Sequence, residues 1–334
     1  MRPAVQGFRS RTLGALVVAV LGIVCLLRAM PANAGEPAEA PTGLLPAGAA
    51  RMDSAALNQA DQGGDSAERP LTDAQVRWRT WAIIGGGAAG IVAYGVNNWW
   101  QDGFTGKFQT GNEGWFEQNT NDGGADKLGH AYANYVGTRL LARSLVWAGN
   151  GNDAALKLAA LATFGAFTAV EVADGFTTKW KFSKEDVIMN AAGVGLAVAM
   201  EKNPDLDRLV DFRLLYRPSD EPRNNYFDPF GDYSGQTYLM VVKASGVERF
   251  RHHPVMRYLE FAVGYGTRGY GAPPDVPSDP SRNVYLGISI NLSELLGQTA
   301  FAGSTRRGGM QRAVDGFLEF VQIPGTVALT HKRL

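Results

Sequence analysis

The feature that most restricts the fold of this chain is a series of three long apolar segments joined by short connections. The segments span residues 126–147, 153–174 and 183–200, and helical periodicity describes them better than strand alternation. The connections, 149–151 and 175–182, are short, and short connections join antiparallel neighbours. The sequence therefore predicts three helices that run up, down and up in one bundle.

A fourth helical segment precedes these three. It opens at Thr72 and Asp73, and tryptophans bracket its apolar part, residues 81–96. A helix of this length spans about 24 Å, which is shorter than the ~30 Å hydrocarbon core of a bilayer. Tryptophans at both ends suit an interfacial or barely spanning helix, and a buried core helix is equally allowed. The sequence leaves open whether residues 81–100 span, lie on or avoid a membrane.

The same segment contains a glycine motif, Gly85-Gly86-Gly87-Ala88-Ala89-Gly90, which fits the G-x-G-x-x-G pattern of dinucleotide-binding proteins. Such a site also needs a second strand that ends in an acid about 20 residues later. Residues 102–107 show no strand pattern. We therefore predict no nucleotide cofactor, and we interpret Gly85–Gly90 as a place of close helix packing.

From about residue 216 the sequence changes to β character. The best strands are 237–242, 258–265 and 284–292, with a fourth candidate at 317–323. In the third of these strands every second residue is apolar, so that the apolar side chains share one face. The predicted fold class is α+β, with a bundle of three to five helices followed by a small antiparallel β-sheet packed on it.

The first 34 residues have the form of an export signal. Three arginines are followed by an apolar run, residues 12–27, and then by Ala32-Asn33-Ala34, which is a small-x-small cleavage site. Cleavage there makes Gly35 the first residue of the mature protein. The predicted location is the periplasm or the cell envelope, in association with a membrane.

Cys25 is the only cysteine, and it leaves with the signal. We predict no lipid anchor on it, because the bulky Val24 stands where a lipoprotein signal needs a small residue. The mature chain then has no disulfide, thiolate metal site or cysteine nucleophile. Four of the 32 basic residues and none of the 32 acidic ones leave with the signal, which gives the mature chain a net charge of −4. This charge does not support nucleic-acid binding.

The chain divides into four predicted regions. The stretch that follows the signal is rich in Ala, Pro, Gly, Asp and Glu, and cannot bury enough apolar surface to fold. The regions are a signal peptide (1–34), a disordered linker (35–70), a helical module with a polar cluster (71–215) and a β-rich C-terminal region (216–334).

Polar residues converge at one end of the predicted bundle, where the first helix starts, the second ends and the third starts. Within each helix they are three or four residues apart and therefore share a face. Glu171 and Asp174 lie in a last helical turn, where the helix dipole disfavours acids, so we expect a cationic partner for them. The seven candidate site residues are Asp126, Lys127, His130, Glu171, Asp174, Asp186 and Asn190.

Three interpretations of this cluster stay open. A metal ion held by His130, Glu171 and Asp174 would be a hard or borderline divalent ion, because the ligands are oxygen-rich with one imidazole. Acid–base chemistry by His130, oriented by Glu171, is the second interpretation. A structural salt-bridge network is the third interpretation, and for this cluster it has as much weight as the other two together. No cofactor is predicted outright, and a divalent metal stays open.

Three motifs carry a resemblance to a known family. They resemble the YfiM-type family of predicted bacterial periplasmic lipoproteins, a domain of unknown function, and more distantly the VanZ-like membrane proteins. The resemblance covers most of residues 100–330, and it implies an envelope location and an α-helical core without an established reaction. The motifs are Asp126-Lys127-x-x-His130, Glu171-x-x-Asp174-Gly175 and Phe182-Ser183-x-x-Asp186-x-x-x-Asn190-x-x-Gly193.

Two functions compete on this basis. The favoured one is an exported envelope protein of unassigned activity with a structural or assembly role, because no nucleophile or recognised catalytic set is visible. The alternative is an envelope hydrolase or transferase that uses His130 with Glu171, Asp174 and Asp186. The sequence does not decide whether the protein is an enzyme. A membrane, or an envelope lipid or glycan, is the expected partner.

We expect the exported protein to begin at Gly35 and to carry no acyl group, since the signal has a peptidase site and no lipid-attachment site. Intact mass and N-terminal sequencing of the protein purified from the envelope measure this directly. An acylated Cys25 at the N-terminus would contradict the prediction.

Overall fold

The computed structural model describes residues 70–219, 230–270, 278–302 and 308–334. The predicted signal peptide and all but the last residue of the predicted linker lie outside the described residues. Within the described part, the protein is a mixed α+β structure in which long helices precede a mostly antiparallel sheet. The predicted α+β class is confirmed.

The first part consists of long helices, and each begins within one residue of its predicted start. At the first helix, the Thr72 hydroxyl accepts a hydrogen bond from the backbone N–H of Gln75, whose side chain accepts one from the Thr72 N–H. At the fourth helix, Ser183 Oγ accepts from the N–H of Asp186. These capping side chains accept hydrogen bonds from backbone N–H groups that have no partner within the first turn of a helix. The helices are α1 (Asp73–Asn98), α2 (Ala125–Trp147), α3 (Asn152–Asp174) and α4 (Lys184–Lys202).

Short helices follow within the connections of the second part. The described residues thus hold eight α-helices, and the predicted number of three to five fits only the long ones. One or two helical turns are too short to show the periodicity on which the prediction rested. The short helices are α5 (Pro204–Leu209), α6 (Glu248–Arg251), α7 (Leu292–Gln298) and α8 (Gly309–Leu318).

Two sheets are present in the described part of the chain. A short parallel pair, β1 (Thr110–Gly111) and β2 (Phe182–Ser183), connects the segment after α1 to the start of α4. The members of the larger sheet are β3 (Val210–Tyr216), β4 (Gln236–Lys243), β5 (Leu259–Arg268), β6 (Ser281–Ile290), β7 (Val321–Gln322) and β8 (Val327–Arg333), in the spatial order β7-β3-β4-β5-β6-β8. All pairs in this six-stranded sheet are antiparallel except the pair of β3 and β7.

The two edge strands of the larger sheet, β7 and β8, are joined by only four residues, 323–326. If a sheet of this strand number were flat, its edge strands would lie about 24 Å apart. The chain from Gln322 to Val327 reaches at most about 18 Å. The sheet therefore curls, and it has an inner face and an outer face.

The inner face holds an ion network together with apolar side chains. Arg213 donates to both carboxylate oxygens of Glu260, at 2.8 and 2.9 Å, and Ser289 Oγ donates to Glu260 at 2.7 Å. Asp211 accepts from Arg213 and from Lys243. The buried apolar side chains beside this network are Leu215, Leu239, Val241, Ala262 and Val327.

Helices α2 and α4 cover part of the outer face, over β3 and the start of β4. Tyr135 and Met200 from these helices share one buried core with Phe212, Tyr238 and Phe320. A second core lies between α1, α2 and α3. The outer face of β5 and β6 stays exposed beside the helices, although it is apolar.

The helices differ in how much apolar surface they expose. Helix α1 buries only Thr80 and Gly95, and both Trp78 and Trp81 are largely exposed. Among the described residues, α3 is the one helix that is long and apolar enough to cross a membrane, and 33% of its most apolar 18 residues are buried inside the protein. Buried helices of soluble proteins meet the same criterion of length and composition.

Two sequence predictions about this region are wrong, and one boundary shifts. Residues 317–323 are not a strand, because Phe317 and Leu318 end α8 and only Val321 and Gln322 pair with β3. Their apolar run comes from a helix end followed by a core residue. The larger sheet begins at Val210 rather than at about 216, because two charges that pair inside the sheet obscure the pattern of β3.

The second wrong prediction is that Gly85–Gly90 marks a place of close helix packing. These glycines lie in the middle of α1 and are exposed. In the described structure, a Cβ added at Gly85, Gly86, Gly87 or Gly90 would meet nothing within 4 Å. Gly193 of α4 is the opposite case, because a Cβ there would lie 2.0 Å from the carbonyl oxygen of Ala131 in α2.

We expect Gly86→Ala and Gly193→Ala to change stability in opposite directions. The first removes a flexible residue from an exposed helix interior and should raise the free energy of unfolding by about 0.5–1 kcal/mol. The second separates α2 from α4 and should lower it by roughly 1–3 kcal/mol. Urea unfolding of the purified protein measures both. Equal effects would show that α2 and α4 do not pack at Gly193.

Candidate functional site

The structure brings all seven predicted site residues to one end of the bundle. Asp126, Lys127 and His130 lie in the first turns of α2, and Glu171 and Asp174 lie in the last turn of α3. The first turns of α4 supply the other two predicted residues, Asp186 and Asn190. The up-down-up order is what makes these three helix ends meet. Sequence reasoning missed three further residues of the site, Glu113, Asn134 and Trp100.

Lys127 lies at the centre of one half of the cluster, and it is 1% exposed. Its Nζ is 2.5 Å from Glu113 Oε2, 2.8 Å from Asp126 Oδ2 and 2.8 Å from Asp186 Oδ1. Burial alone would lower the pKa of Lys127, but the attraction of Asp126 and Asp186 outweighs it and raises that pKa well above its ordinary value. The ammonium group therefore stays charged and ties α2 to α4 and to the segment after β1.

His130 occupies the other half, and its side chain is 21% exposed. Its Nδ1 is 3.1 Å from Asn190 Oδ1, which also accepts a hydrogen bond from Asn134 Nδ2 at 2.6 Å. An amide oxygen can only accept, so Nδ1 carries the hydrogen and Nε2 of the neutral ring has the free lone pair. That Nε2 is 3.8 Å from Asp186 Oδ1. Asn190 thus fixes which ring nitrogen is available.

Among the acids of the site, Glu171 has the fewest interactions with hydrogen-bond donors and positive groups. It is 2% exposed, and its Oε1 is 3.6 Å from His130 Nδ1, which is beyond hydrogen-bonding distance. No other ion pair and no hydrogen bond to its carboxylate is found within the described residues. Burial, followed by repulsion from Asp186 and Asp174, raises the pKa of Glu171 to about 9. This carboxyl group is therefore protonated at neutral pH unless a cation joins it.

Asp174 and Asp186 are held differently from Glu171. The indole Nε1 of Trp100 donates to Asp174 Oδ1 at 2.6 Å, and burial raises the pKa of Asp174 to about 6 although this hydrogen bond opposes the shift. Burial also raises the pKa of Asp186, against the attraction of His130 and Lys127. Asp186 lies between the two halves of the cluster and interacts with both.

Among the described residues, two groups of side chains have the spacing of a metal site. One nitrogen of His130 and one oxygen each of Glu171 and Asp186 lie within 4.8 Å of one another. Asp186 takes the place that the sequence interpretation gave to Asp174. The acids Glu113, Asp126 and Asp186 are also within 4.8 Å of one another, but the Lys127 ammonium already lies among them. The first group contains no lysine or arginine, and it meets Lys127 only through Asp186.

The three site residues that the sequence analysis missed differ in whether a sequence pattern marks them. Asn134 is four residues after His130 on the same helix face, so its spacing could have identified it. Glu113 and Trp100 lie outside the three helices, in a segment without periodicity. They reach the cluster only because the chain between α1 and α2 folds back across the helix ends.

We expect Glu171→Gln to flatten the dependence of stability on pH. The pKa of Glu171 rises from 4.5 to about 9 on folding, so between these values the folded state holds a proton that the unfolded chain has lost. The free energy of unfolding then falls as the pH rises through this window. Glutamine does not titrate, so the free energy of unfolding of the variant should rise steadily relative to that of the wild type from about pH 5 to pH 9. Urea unfolding with a chelator present measures both.

Glu248→Gln is the matched control for this experiment, because Glu248 is exposed at the start of α6. Its unfolding free energy should follow the wild-type curve at every pH. If the Glu171→Gln curve has the same slope as the wild type, the carboxyl group is not protonated in the folded protein.

When the chain is compared with known proteins, the model of one protein family matches the segment that contains this site. No curated protein and no solved structure matches the chain. The family match supports the prediction of an exported envelope protein of unassigned activity. Residues 112–202, which contain all seven predicted site residues, match the model of a family described as predicted periplasmic lipoprotein (DUF2279), and over this segment the chain is similar to that family.

Proposed function

We propose that this envelope protein is a hydrolase that binds a divalent metal ion at His130, Glu171 and Asp186. The observation that carries the proposal is the position of Glu171, a buried carboxyl group that faces an imidazole and has no hydrogen-bond donor among the described residues. Such a group either stays protonated or binds a cation. A metal ion satisfies it without the cost of an unpaired buried charge.

The charge balance of the cluster supports this proposal. Lys127 contacts three of the acids and has no hydrogen left for Glu171 or Asp174. One ammonium group and one imidazole thus face the five acids of the cluster, so the acids outnumber the groups that can balance their charge. A divalent ion would offset two of these charges. The five acids are Glu113, Asp126, Glu171, Asp174 and Asp186.

The ligand types also suit a hard or borderline ion such as Mn²⁺, Mg²⁺ or Zn²⁺, since two are carboxylates and one is an imidazole nitrogen. Asn190 orients His130 in the way that outer partners orient a metal-binding histidine. An ion held by His130, Glu171 and Asp186 would supply an activated water molecule and would polarise an ester or phosphoester. The exposed edge of His130 is the side from which a substrate would enter. An envelope lipid or glycan is the proposed substrate class.

A second candidate is the structural or assembly role, and the Lys127 contacts favour it. Three ion pairs of a fully buried ammonium join three separate segments at one point. A cluster of this kind holds helix ends together whether or not any chemistry takes place. Under this proposal Glu171 stays protonated and no metal binds.

The narrower features of the sequence analysis belong to the same proposal. These are the cleaved signal peptide, the association with a membrane and the likeness to YfiM-type and VanZ-like proteins. The motifs Asp126-Lys127-x-x-His130 and Asp186-x-x-x-Asn190 support the likeness, and both lie in the matched segment.

Calorimetric titration of the purified protein with Mn²⁺, Zn²⁺ and Mg²⁺ tests the proposal. We expect one ion per chain, and a loss of affinity of at least tenfold in His130→Ala and in Glu171→Gln, because each removes one ligand. Glu248→Gln should bind as the wild type does. Wild-type protein with metal should also release products from purified envelope lipids or glycans, detected by mass spectrometry, and His130→Ala should not.

The structural candidate predicts another outcome for the same proteins. No metal would bind at millimolar concentration, and His130→Ala would lower the free energy of unfolding without affecting any product. That result would exclude the hydrolase proposal.

A further inference from the structure

The larger sheet buries paired charges beside apolar side chains on one face and exposes apolar side chains on the other. Its inner face holds the buried ion network of Arg213, Glu260 and Asp211. Its outer face on β4, β5 and β6 is apolar and exposed, with seven side chains between 37% and 54% exposed. These residues, which we call the outer patch, are Met240, Val242, Phe261, Val263, Leu286, Ile288 and Ile290.

The strand register makes the outer patch continuous. Val263 lies between Met240 and Leu286 on neighbouring strands. Phe261 lies in the same way between Val242 and Ile288, one pleat away. Neighbouring strands are about 4.8 Å apart, so these side chains touch across the sheet. An apolar surface of this continuity marks an interaction site on a soluble protein.

A change of strand register cannot bury the outer patch without cost. A shift of one residue would turn the apolar side chains inward, but it would also turn Arg213 and Glu260 outward and break the contacts between them. The inner network therefore holds the apolar side outward. The patch needs a partner and not a different fold.

Basic side chains lie at both ends of the outer patch. The connection from β4 to β5 carries Arg249 and Arg251, and neither has an ion pair within the described residues. At the opposite end, Lys332 of β8 pairs in register with Val284 and faces the same side as the patch. The same connection also contains Glu248 and Arg257, and Arg257 is paired with Glu294. The patch is thus apolar at its centre and positive at its ends.

This charge pattern decides between two occupants. A second copy of the chain would bring one positive end against another in either relative orientation of the strands. An anionic bilayer presents negative phosphates around an apolar interior, which complements both parts of the surface. The exposed apolar side chains of Val247, Val255 and Met256 in the β4–β5 connection extend the surface that would enter the headgroup layer.

We propose that the outer patch docks the protein onto the surface of an anionic lipid bilayer, with Arg249, Arg251 and Lys332 against lipid phosphates. This contact requires no acyl chain on the protein. It does not depend on the proposed metal site, which lies among helix ends and shares no residue with the patch.

Flotation of the purified protein with vesicles of phosphatidylethanolamine and phosphatidylglycerol (3:1) tests this inference, with phosphatidylcholine vesicles for comparison. We expect binding to the anionic vesicles, weaker binding in 1 M NaCl, and little binding to phosphatidylcholine. The double variant Phe261→Glu/Ile288→Glu should lose at least tenfold in affinity. Arg249→Glu/Arg251→Glu should lose the preference for anionic vesicles.

Two matched controls carry the same chemical changes elsewhere. Met310→Glu replaces an apolar side chain that is 58% exposed on α8, and Arg312→Glu reverses an exposed charge on the same helix. Both should bind vesicles as the wild type does, and thermal melting should show all variants folded. The patch variants should also keep the wild-type affinity for Mn²⁺, whatever that affinity is.

Several results would overturn the inference. Wild-type protein that does not float with anionic vesicles would do so, as would patch variants that float like the wild type. Self-association of the wild-type protein without lipid, abolished by Phe261→Glu/Ile288→Glu, would identify a second copy as the occupant. Each of these results leaves the metal titration unaffected, so failure of the docking surface and failure of the hydrolase proposal are separate outcomes.

Discussion

The buried ammonium group of Lys127 is the interaction on which the helical part of the structure depends. It needs several acceptors, because a lone charge in this environment would cost several kcal/mol. Glu113, Asp126 and Asp186 supply them from three segments, so the first turns of α2 and α4 and the segment after β1 must meet. The same arrangement leaves Glu171 buried nearby, and within the described part of the chain its one neighbour able to carry a positive charge within 4 Å is His130.

The sheet follows a second constraint, which is the four-residue link between its edge strands. Closing that distance forces the sheet to curl. The inner face holds paired charges around Arg213 together with apolar side chains such as Leu239 and Ala262. The outer face of the same strands is also apolar, and α2 and α4 cover part of it while the part on β5 and β6 stays exposed.

The sequence predicted the starts of the four long helices well, because capping residues such as Thr72 and Ser183 leave a local signal. It also predicted the seven residues that meet at the helix ends. It failed where the signal was not local. Glu113 joins the site from a segment without periodicity, and the strand at 210–216 was hidden by charges whose partners are far away in the chain.

The sequence by itself determined the export signal as a prediction, the α+β class and the set of polar residues, since each rests on composition or on spacing within one segment. Only the tertiary structure decided how those residues divide. Lys127 pairs with Glu113, Asp126 and Asp186 in one half, and His130, Glu171 and Asp186 form a group with the spacing of a metal site. The structure also decided that the apolar face of β6 is the exposed one. Alternation shows that a strand has two faces, but only packing decides which of them is covered.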